Sequence, residues 1–263
     1  MRLTLLQTDI AYADPEANLK KMLGLIKKSM NVENKPDVIV LPEMWNTSFA
    51  MEELDKLADN NGSPCGEAVA ELAERYQVNI VAGSIADKRE GKIYNTSYVF
   101  DRQGATIAMY DKVHLFGLMK EPEYLTPGKK RTVFEIDGIK CGLVICYDIR
   151  FPELARAIAL DGAKILFVPA QFPYPRHIPW NFLIPSRAIE NQMFVVGVNR
   201  VGKEGKATFF GHSMVVEPRG DVIINGSEEE EEILSADIDI EKVDISRNYL
   251  TCLQDRVPAV YRR

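Results

Sequence analysis

The sequence predicts an α/β protein in which helices cover mixed β-sheets, and three observations carry that expectation. Short apolar runs alternate with helical periodicities at both ends of the chain. Between them lie β-type runs paired across tight turns. No linker, repeat or low-complexity stretch divides the 263 residues, so one domain over 1–263 is expected.

The elements follow in chain order. LTLLQTD (3–9) reads as a buried strand, and Asp14-Pro15 as a helix N-cap followed by proline at the first helical position. Leu19, Met22, Leu23 and Ile26 then give one apolar stripe at helical spacing. DVIVLPE (37–43) is a continuous apolar strand that ends in a carboxylate. Val69, Leu72, Ala73 and Tyr76 mark a second helix, and NIVAGS (79–84) a third strand. IYNTSYVF (93–100) and ATIAMYD (105–111) flank the turn 101–104 as an antiparallel hairpin.

A second pair, TVFEIDG (132–138) and IKCGLVICYD (139–148), folds about Asp137-Gly138. A helix from about Pro152, the strand KILFVPA (164–170) and a Pro-rich loop from Phe172 to Pro179 come next. A helix through Arg187 to Glu190 leads to the strand MFVVGVN (193–199). HSMVVEP (212–218) and DVIIN (221–225) form a third hairpin, and the acidic run Glu228 to Glu232 reads as a solvated loop. The tail is mixed and closes in an arm over about 245–263, polar at its end, with Asp255, Arg256, Tyr261, Arg262 and Arg263.

A formal net charge of -6 argues against a nucleic-acid partner, which usually meets a basic face. No apolar run reaches the roughly 18 residues of a membrane span, and the N-terminus lacks a cleavable signal pattern. A cytoplasmic location is the default expectation. Cys65, Cys141, Cys146 and Cys252 read as free thiols. Cys141 and Cys146 share one predicted strand, which separates them by roughly 16 Å, too far for a bridge. Neither a CxxC motif nor a histidine-rich spacing points to a metal site.

Three places look wrong for packing alone. Glu43 ends an apolar strand, where α/β proteins usually bind ligands. The segment Tyr110-Asp111-Lys112-Val113-His114-Leu115-Phe116 carries a lysine and a histidine, each of which could equally be solvated or structural. In the third, a small apolar strand delivers Cys146, then a charged turn and Pro152 at a helix start. That arrangement sets a thiol beside backbone N–H groups, although a free cysteine is more often a small packing residue.

Together, LPEMW, YDKVHLF and CYDIRFPE resemble, in order and spacing, the three signature segments of the nitrilase superfamily of carbon–nitrogen hydrolases. GSI (83–85), YNTSYVFDRQG (94–104), the Pro-Gly at 127–128, SRAIENQ (186–192) and GHSMVVEPRG (211–220) extend the resemblance over nearly the whole chain. The resemblance implies a four-layer α-β-β-α sandwich of two mixed sheets, assembled as a homodimer or larger homo-oligomer. By position it implies Glu43 as general base, Lys112 as oxyanion stabiliser and Cys146 as nucleophile. It also implies an accessory glutamate, best placed at Glu121, with Glu123 competing.

Those residue types suit amide hydrolysis: a poor electrophile needs a strong nucleophile, a base for its proton and a donor for the oxyanion. No metal or organic cofactor is required. The segments GLMKEPEYLTPG and AQFPYPRHIPW lean toward the ω-amidase branch, whose substrates are short dicarboxylic monoamides such as 2-oxoglutaramate and 2-oxosuccinamate. In that reading Arg150 or Arg176 holds the far carboxylate, with an ion pair to Asp148 or Glu153 the alternative role for Arg150. The backbone N–H of Tyr147 serves the oxyanion, and Phe116, Tyr147, Phe172 and Trp180 are candidate pocket walls. N-carbamoyl compounds, aliphatic amides and nitriles are rival substrates, and a catalytically silent binding member of the fold is a rival of another class.

Overall fold

In a computed structural model, which describes residues 1–261, the sequence folds into two mixed sheets packed face to face with helices outside each. The first sheet runs in the order Glu232–Asp237, Arg2–Gln7, Val38–Val40, Asn79–Val81, Lys92–Phe100, Ile85–Arg89 and Asp59–Asn60. Thr106–Asp111 also pairs with Lys92–Phe100. The second sheet runs Val222–Asn225, Met214–Val216, Phe194–Asn199, Ile165–Ala170, Ile139–Leu143 and Thr132–Ile136.

Period-two alternation makes the layers. Leu3, Leu5, Val38, Val40, Val81 and Val99 face inward, in one core with Leu143, Phe167, Val196 and Val215 of the second sheet. Their neighbours Leu6, Ile39, Leu41 and Ile80 face outward and bury Met22 and Ile26 of helix Pro15–Ser29 with Val69 and Leu72 of helix Cys65–Tyr76. Across the second sheet, Ile158 of helix Pro152–Leu160 presses on Gly142, and Trp180 of helix His177–Asn191 presses on Gly197. This is the expected α-β-β-α order.

Local signals explain most boundaries. Asp14 caps its helix by accepting from the Ala17 N–H at 3.0 Å, with proline at the first turn. The three expected hairpins pair antiparallel. Several boundaries differ from expectation. The apolar run before Glu43 is in strand only over Val38–Val40, and Ile139–Leu143 ends before Cys146, so the two cysteines do not share a strand. The Pro-rich loop already turns helical at His177. The hairpin of Val201–Glu204 with Ala207–Phe210 and the strand Ile85–Arg89 lie where no alternation stood out.

The acidic run is not simply solvated. Glu231 accepts from Thr8 Oγ1 and Asp9 N, both at 2.8 Å, and pairs with Lys21, while Glu232 opens the strand that closes the first sheet on Arg2–Gln7. Of the C-terminal arm, Arg262 and Arg263 lie outside the described residues; before them stand helices Glu241–Tyr249 and Pro258–Tyr261. No helix among the described residues is long and apolar enough to cross a membrane.

One close approach sets the position of Glu43. Gly83 has φ +58°, and a Cβ there would stand 2.0 Å from the Pro42 carbonyl oxygen. Ser84 N donates to that same carbonyl at 3.0 Å, and Ser84 Oγ accepts from Met44 N at 2.9 Å. Gly83→Ala should therefore cost about 2 kcal/mol or more in urea unfolding and lower turnover in the protein that still folds. Unchanged stability and turnover would show that Gly83 does not fix the Pro42-Glu43 turn.

Candidate active site

Strand ends build the site. Glu43 follows Val38–Val40 in the first sheet, while Cys146 and Gln171 follow Ile139–Leu143 and Ile165–Ala170 in the second. Lys112 follows Thr106–Asp111, its N–H donating to Asn95 O at 2.9 Å and its carbonyl accepting from Gly128 N at 2.8 Å. Gly128 is needed there, because a Cβ would stand 2.0 Å from the Asp111 carbonyl oxygen.

Glu43, Lys112 and Glu121 form a buried ion cluster. Lys112 Nζ donates to Glu43 Oε1 at 2.8 Å and to Glu121 Oε1 at 2.7 Å, with all three side chains withdrawn from solvent. Glu43 accepts further from Asn95 Nδ2 at 2.8 Å on Oε1 and from Gln171 N at 2.9 Å on Oε2. Glu121 Oε2 accepts from Phe116 N at 2.8 Å. Glu121 thus reaches Lys112, whereas Glu123 is exposed. An ammonium has three N–H donors, and two are engaged here, which leaves one for a ligand atom.

Cys146 stands at the first position of a 3₁₀ turn, Cys146–Arg150, with φ +48°. A non-glycine residue in that region costs about 1–3 kcal/mol and must be held by its surroundings. Asp148 does the holding. Its buried carboxylate accepts from Ile145 N at 3.0 Å, Tyr110 Oη at 2.7 Å and His114 N at 2.8 Å, with His114 Nδ1 also at 2.8 Å. Tyr110 and His114 lie two residues either side of Lys112, so one carboxylate ties the cysteine turn to the lysine segment. Sequence reasoning weighed Asp148 only as a partner of Arg150; its full set of donors explains why it is not.

The electrostatics separate the roles. Burial pushes the Cys146 thiol well above its ordinary range; Glu43 pushes it further, and Lys112 only partly opposes them. Burial pulls Lys112 down, but Glu121, Glu43 and Cys146 outweigh it and hold the ammonium well above the usual lysine value. Burial raises Glu121, against Lys112 and with help from Glu43. At neutral pH the site therefore holds a thiol beside an ammonium.

Beside the thiol lies a small cavity lined by Cys146, Glu121, Tyr147, Gln171 and several aromatic and cationic side chains. Phe116, Phe172, Arg150 and Arg176 are among them, together with Phe49, Met119 and Pro173, which sequence reasoning did not single out. The Arg176 guanidinium sits 5.0 Å from the centre of the Phe116 ring, and that of Arg150 sits 5.7 Å from Phe172. Among the described residues neither arginine has a carboxylate within ion-pair distance, so Arg150 pairs with neither Asp148 nor Glu153.

Trp180 does not line the cavity. It is fully buried behind Phe172, with its indole N–H donating to His212 O at 2.8 Å. Asn95 and Gln171 were also missed as partners of Glu43. Their signal was present: an amide side chain on a strand, and another directly after one. Among the described residues no group of His, Cys, Asp and Glu side chains is placed to hold a metal ion.

The chain belongs to the carbon–nitrogen hydrolase family, whose model matches residues 2–248. It is an enzyme that acts on carbon–nitrogen bonds other than peptide bonds. It is 42% identical over 237 residues, 90% of each chain, to the 2-oxoglutaramate amidase of Bacillus subtilis. It is 32% identical over 278 residues to the Omega-amidase NIT3 of Saccharomyces cerevisiae, covering 99% of this chain and 94% of that one. Among solved structures, a carbon–nitrogen hydrolase superfamily protein of Xanthomonas campestris, with an arsenic adduct in its active site, superposes with a TM-score of 0.91. That match has 27% identity over 98% of this chain and 97% of the other.

The charge arrangement has a direct consequence. Burial first and Glu43 second raise the Cys146 thiol, so Glu43→Gln should leave Lys112 opposed by burial alone and move thiolate formation to lower pH. Ultraviolet titration of the thiolate, taken as a difference against Cys146→Ala, reads this. A titration unmoved or displaced upward would remove Glu43 from contact with the thiol.

Proposed function

We propose that this enzyme hydrolyses short dicarboxylic monoamides of the 2-oxoglutaramate and 2-oxosuccinamate type through a thioester on Cys146. The observation that carries the reading is the cavity: Cys146 in its lining, next to Glu43 and Lys112, and two guanidiniums with no carboxylate partner among the described residues. A planar cationic fork with no such partner suits a substrate carboxylate. The names of the Bacillus subtilis and Saccharomyces cerevisiae relatives agree with that substrate class.

The chemistry follows from the roles. Cys146 Sγ attacks the amide carbon while its proton passes to Glu43. The oxyanion meets the free N–H of Lys112 and the N–H of Tyr147, which opens the first turn after the nucleophile. A donor of this kind is worth about 3–4 kcal/mol in the transition state. Collapse breaks the C–N bond, Glu43 returns the proton to the leaving nitrogen, and ammonia departs from the thioester. Water then adds to the thioester carbonyl with one proton passing to Glu43. Expulsion of the Cys146 thiolate, which takes that proton back, releases the carboxylic acid. Glu121 serves by holding Lys112.

The same reading includes a homodimer or larger homo-oligomer and a cytoplasmic setting. Exposed Ile178, Phe182 and Ile189 on the outer helix His177–Asn191 support the first, and four free thiols the second.

Ammonia release from a panel tests the proposal: 2-oxoglutaramate and 2-oxosuccinamate against propionamide, an N-carbamoyl amine and a nitrile. The 2-oxo acid amides should be fastest, and Cys146→Ala should be inactive on all. Arg150→Ala or Arg176→Ala should lose at least about 10-fold in kcat/KM for the anionic amides with little change for a neutral one. No turnover of either 2-oxo acid amide, or equal losses on anionic and neutral substrates, would sink the assignment.

A further inference from the structure

The strand Phe194–Asn199 runs parallel to Ile165–Ala170 with Ala170 opposite Asn199. That register places the residues one step beyond each strand, Gln171 and Arg200, side by side. Arg200 is fully buried, a rare position for a guanidinium and a costly one unless every donor finds a partner. Here each does. Nη2 donates to Asp9 Oδ1 at 2.6 Å and Ile10 O at 2.8 Å, and Nε to Val201 O at 3.1 Å. Nη1 reaches Ser48 Oγ at 2.7 Å, Gln171 Oε1 at 3.0 Å and Glu204 Oε2 at 3.0 Å. Phe209 lies under the plane, 4.1 Å from its centre.

The contact with Gln171 reaches the chemistry. The one hydroxyl proton of Ser48 goes to the nearby Glu204 carboxylate, which leaves Arg200 Nη1 as the donor to the side-chain oxygen of Gln171. Its amide nitrogen must then face the other way, and it donates to the main-chain carbonyl of Glu43 at 2.6 Å. The Gln171 main-chain N–H donates to Glu43 Oε2. Gln171 therefore grips Glu43 at backbone and carboxylate together, and Arg200 fixes which way round Gln171 stands.

We propose that Arg200 is a positioning residue for the reaction: through the Gln171 amide it holds Glu43 at the geometry in which the glutamate exchanges protons with Cys146 and the leaving nitrogen. The inference rests on Glu43 being the general base. Lysine cannot supply the same fork, because a single ammonium cannot span Gln171, Asp9 and the Ile10 carbonyl in their present places. A base displaced by a fraction of an ångström lowers the rate of proton transfer and leaves the arginine-lined part of the cavity intact.

The test compares Arg200→Lys, Gln171→Ala and the double variant. The assay uses 2-oxoglutaramate, or whichever amide of the panel the wild-type enzyme hydrolyses, with active sites counted by alkylation of Cys146. Arg200→Lys and Gln171→Ala should each lose about 10- to 100-fold in kcat per active site with KM within about 3-fold. The double variant should lose no more than the worse single, because both changes release the same grip on Glu43. Multiplicative losses, a KM effect in place of a kcat effect, or wild-type kcat per counted site in Arg200→Lys would overturn the inference. Should Arg200→Lys fail to fold, Gln171→Ala decides alone, since it removes no buried charge: unchanged kcat refutes the proposal. Glu43→Gln, run beside them, separates the two failures. Turnover retained there refutes the base assignment itself, while turnover lost there and kept in the other variants refutes only the role of Arg200.

Discussion

An ammonium with no access to water is stable only when carboxylates surround it, and the site is organised around that requirement at Lys112. Glu43 and Glu121 each accept a hydrogen bond from it within ordinary distance. Burial, with Glu43 adding to it against the pull of Lys112, keeps the neighbouring thiol protonated. The enzyme thus avoids a standing thiolate. In the proposed mechanism the thiol stands next to its base, so the nucleophile appears only as the proton leaves. Such an arrangement works only if Glu43 cannot drift, because removal of any N–H donor on its two oxygens loosens both the base and the ion pair.

The surrounding structure meets that condition from three directions. Asn95 and the main chain of Gln171 hold the carboxylate of Glu43, Gly83 lets the preceding turn dock against the first sheet, and Asp148 fastens the strained Cys146 turn to both flanks of Lys112. Two sheets are needed for this. The glutamate comes from the first and the cysteine from the second, and face-to-face packing brings their strand ends to one place. The cavity is built differently, from aromatic faces and two arginines that have no carboxylate partner among the described residues.

Much of this was legible in the sequence, for identifiable reasons. Strand and helix periods are local, so the layers, the three hairpins and the capped helix at Asp14 could be read directly. Glu43, Lys112 and Cys146 stood out because a charged or reactive side chain ended an apolar run or sat among such residues. The partners were harder. Asp148 looked like one more charge in a charged turn, and only the fold shows four donors converging on it. Arg200 follows an apolar strand as any surface arginine might, and its burial depends on the register between two parallel strands. Trp180 was placed on the wrong side of Phe172 for a related reason, since its helix begins at His177, inside the stretch read as a loop. The acidic run failed similarly, because Lys21 and Thr8, which engage Glu231, lie more than two hundred residues away.

The proposed reaction depends most directly on the covalent step at Cys146. Mixing wild-type enzyme with 2-oxoglutaramate, quenching in acid within one turnover and mapping the protein by mass spectrometry measures it directly. The acyl group of the substrate, without its amide nitrogen, is expected on the peptide that carries Cys146 and on no other. An enzyme that releases ammonia with no acyl adduct at any time, or with the adduct on Cys65, Cys141 or Cys252, would contradict it.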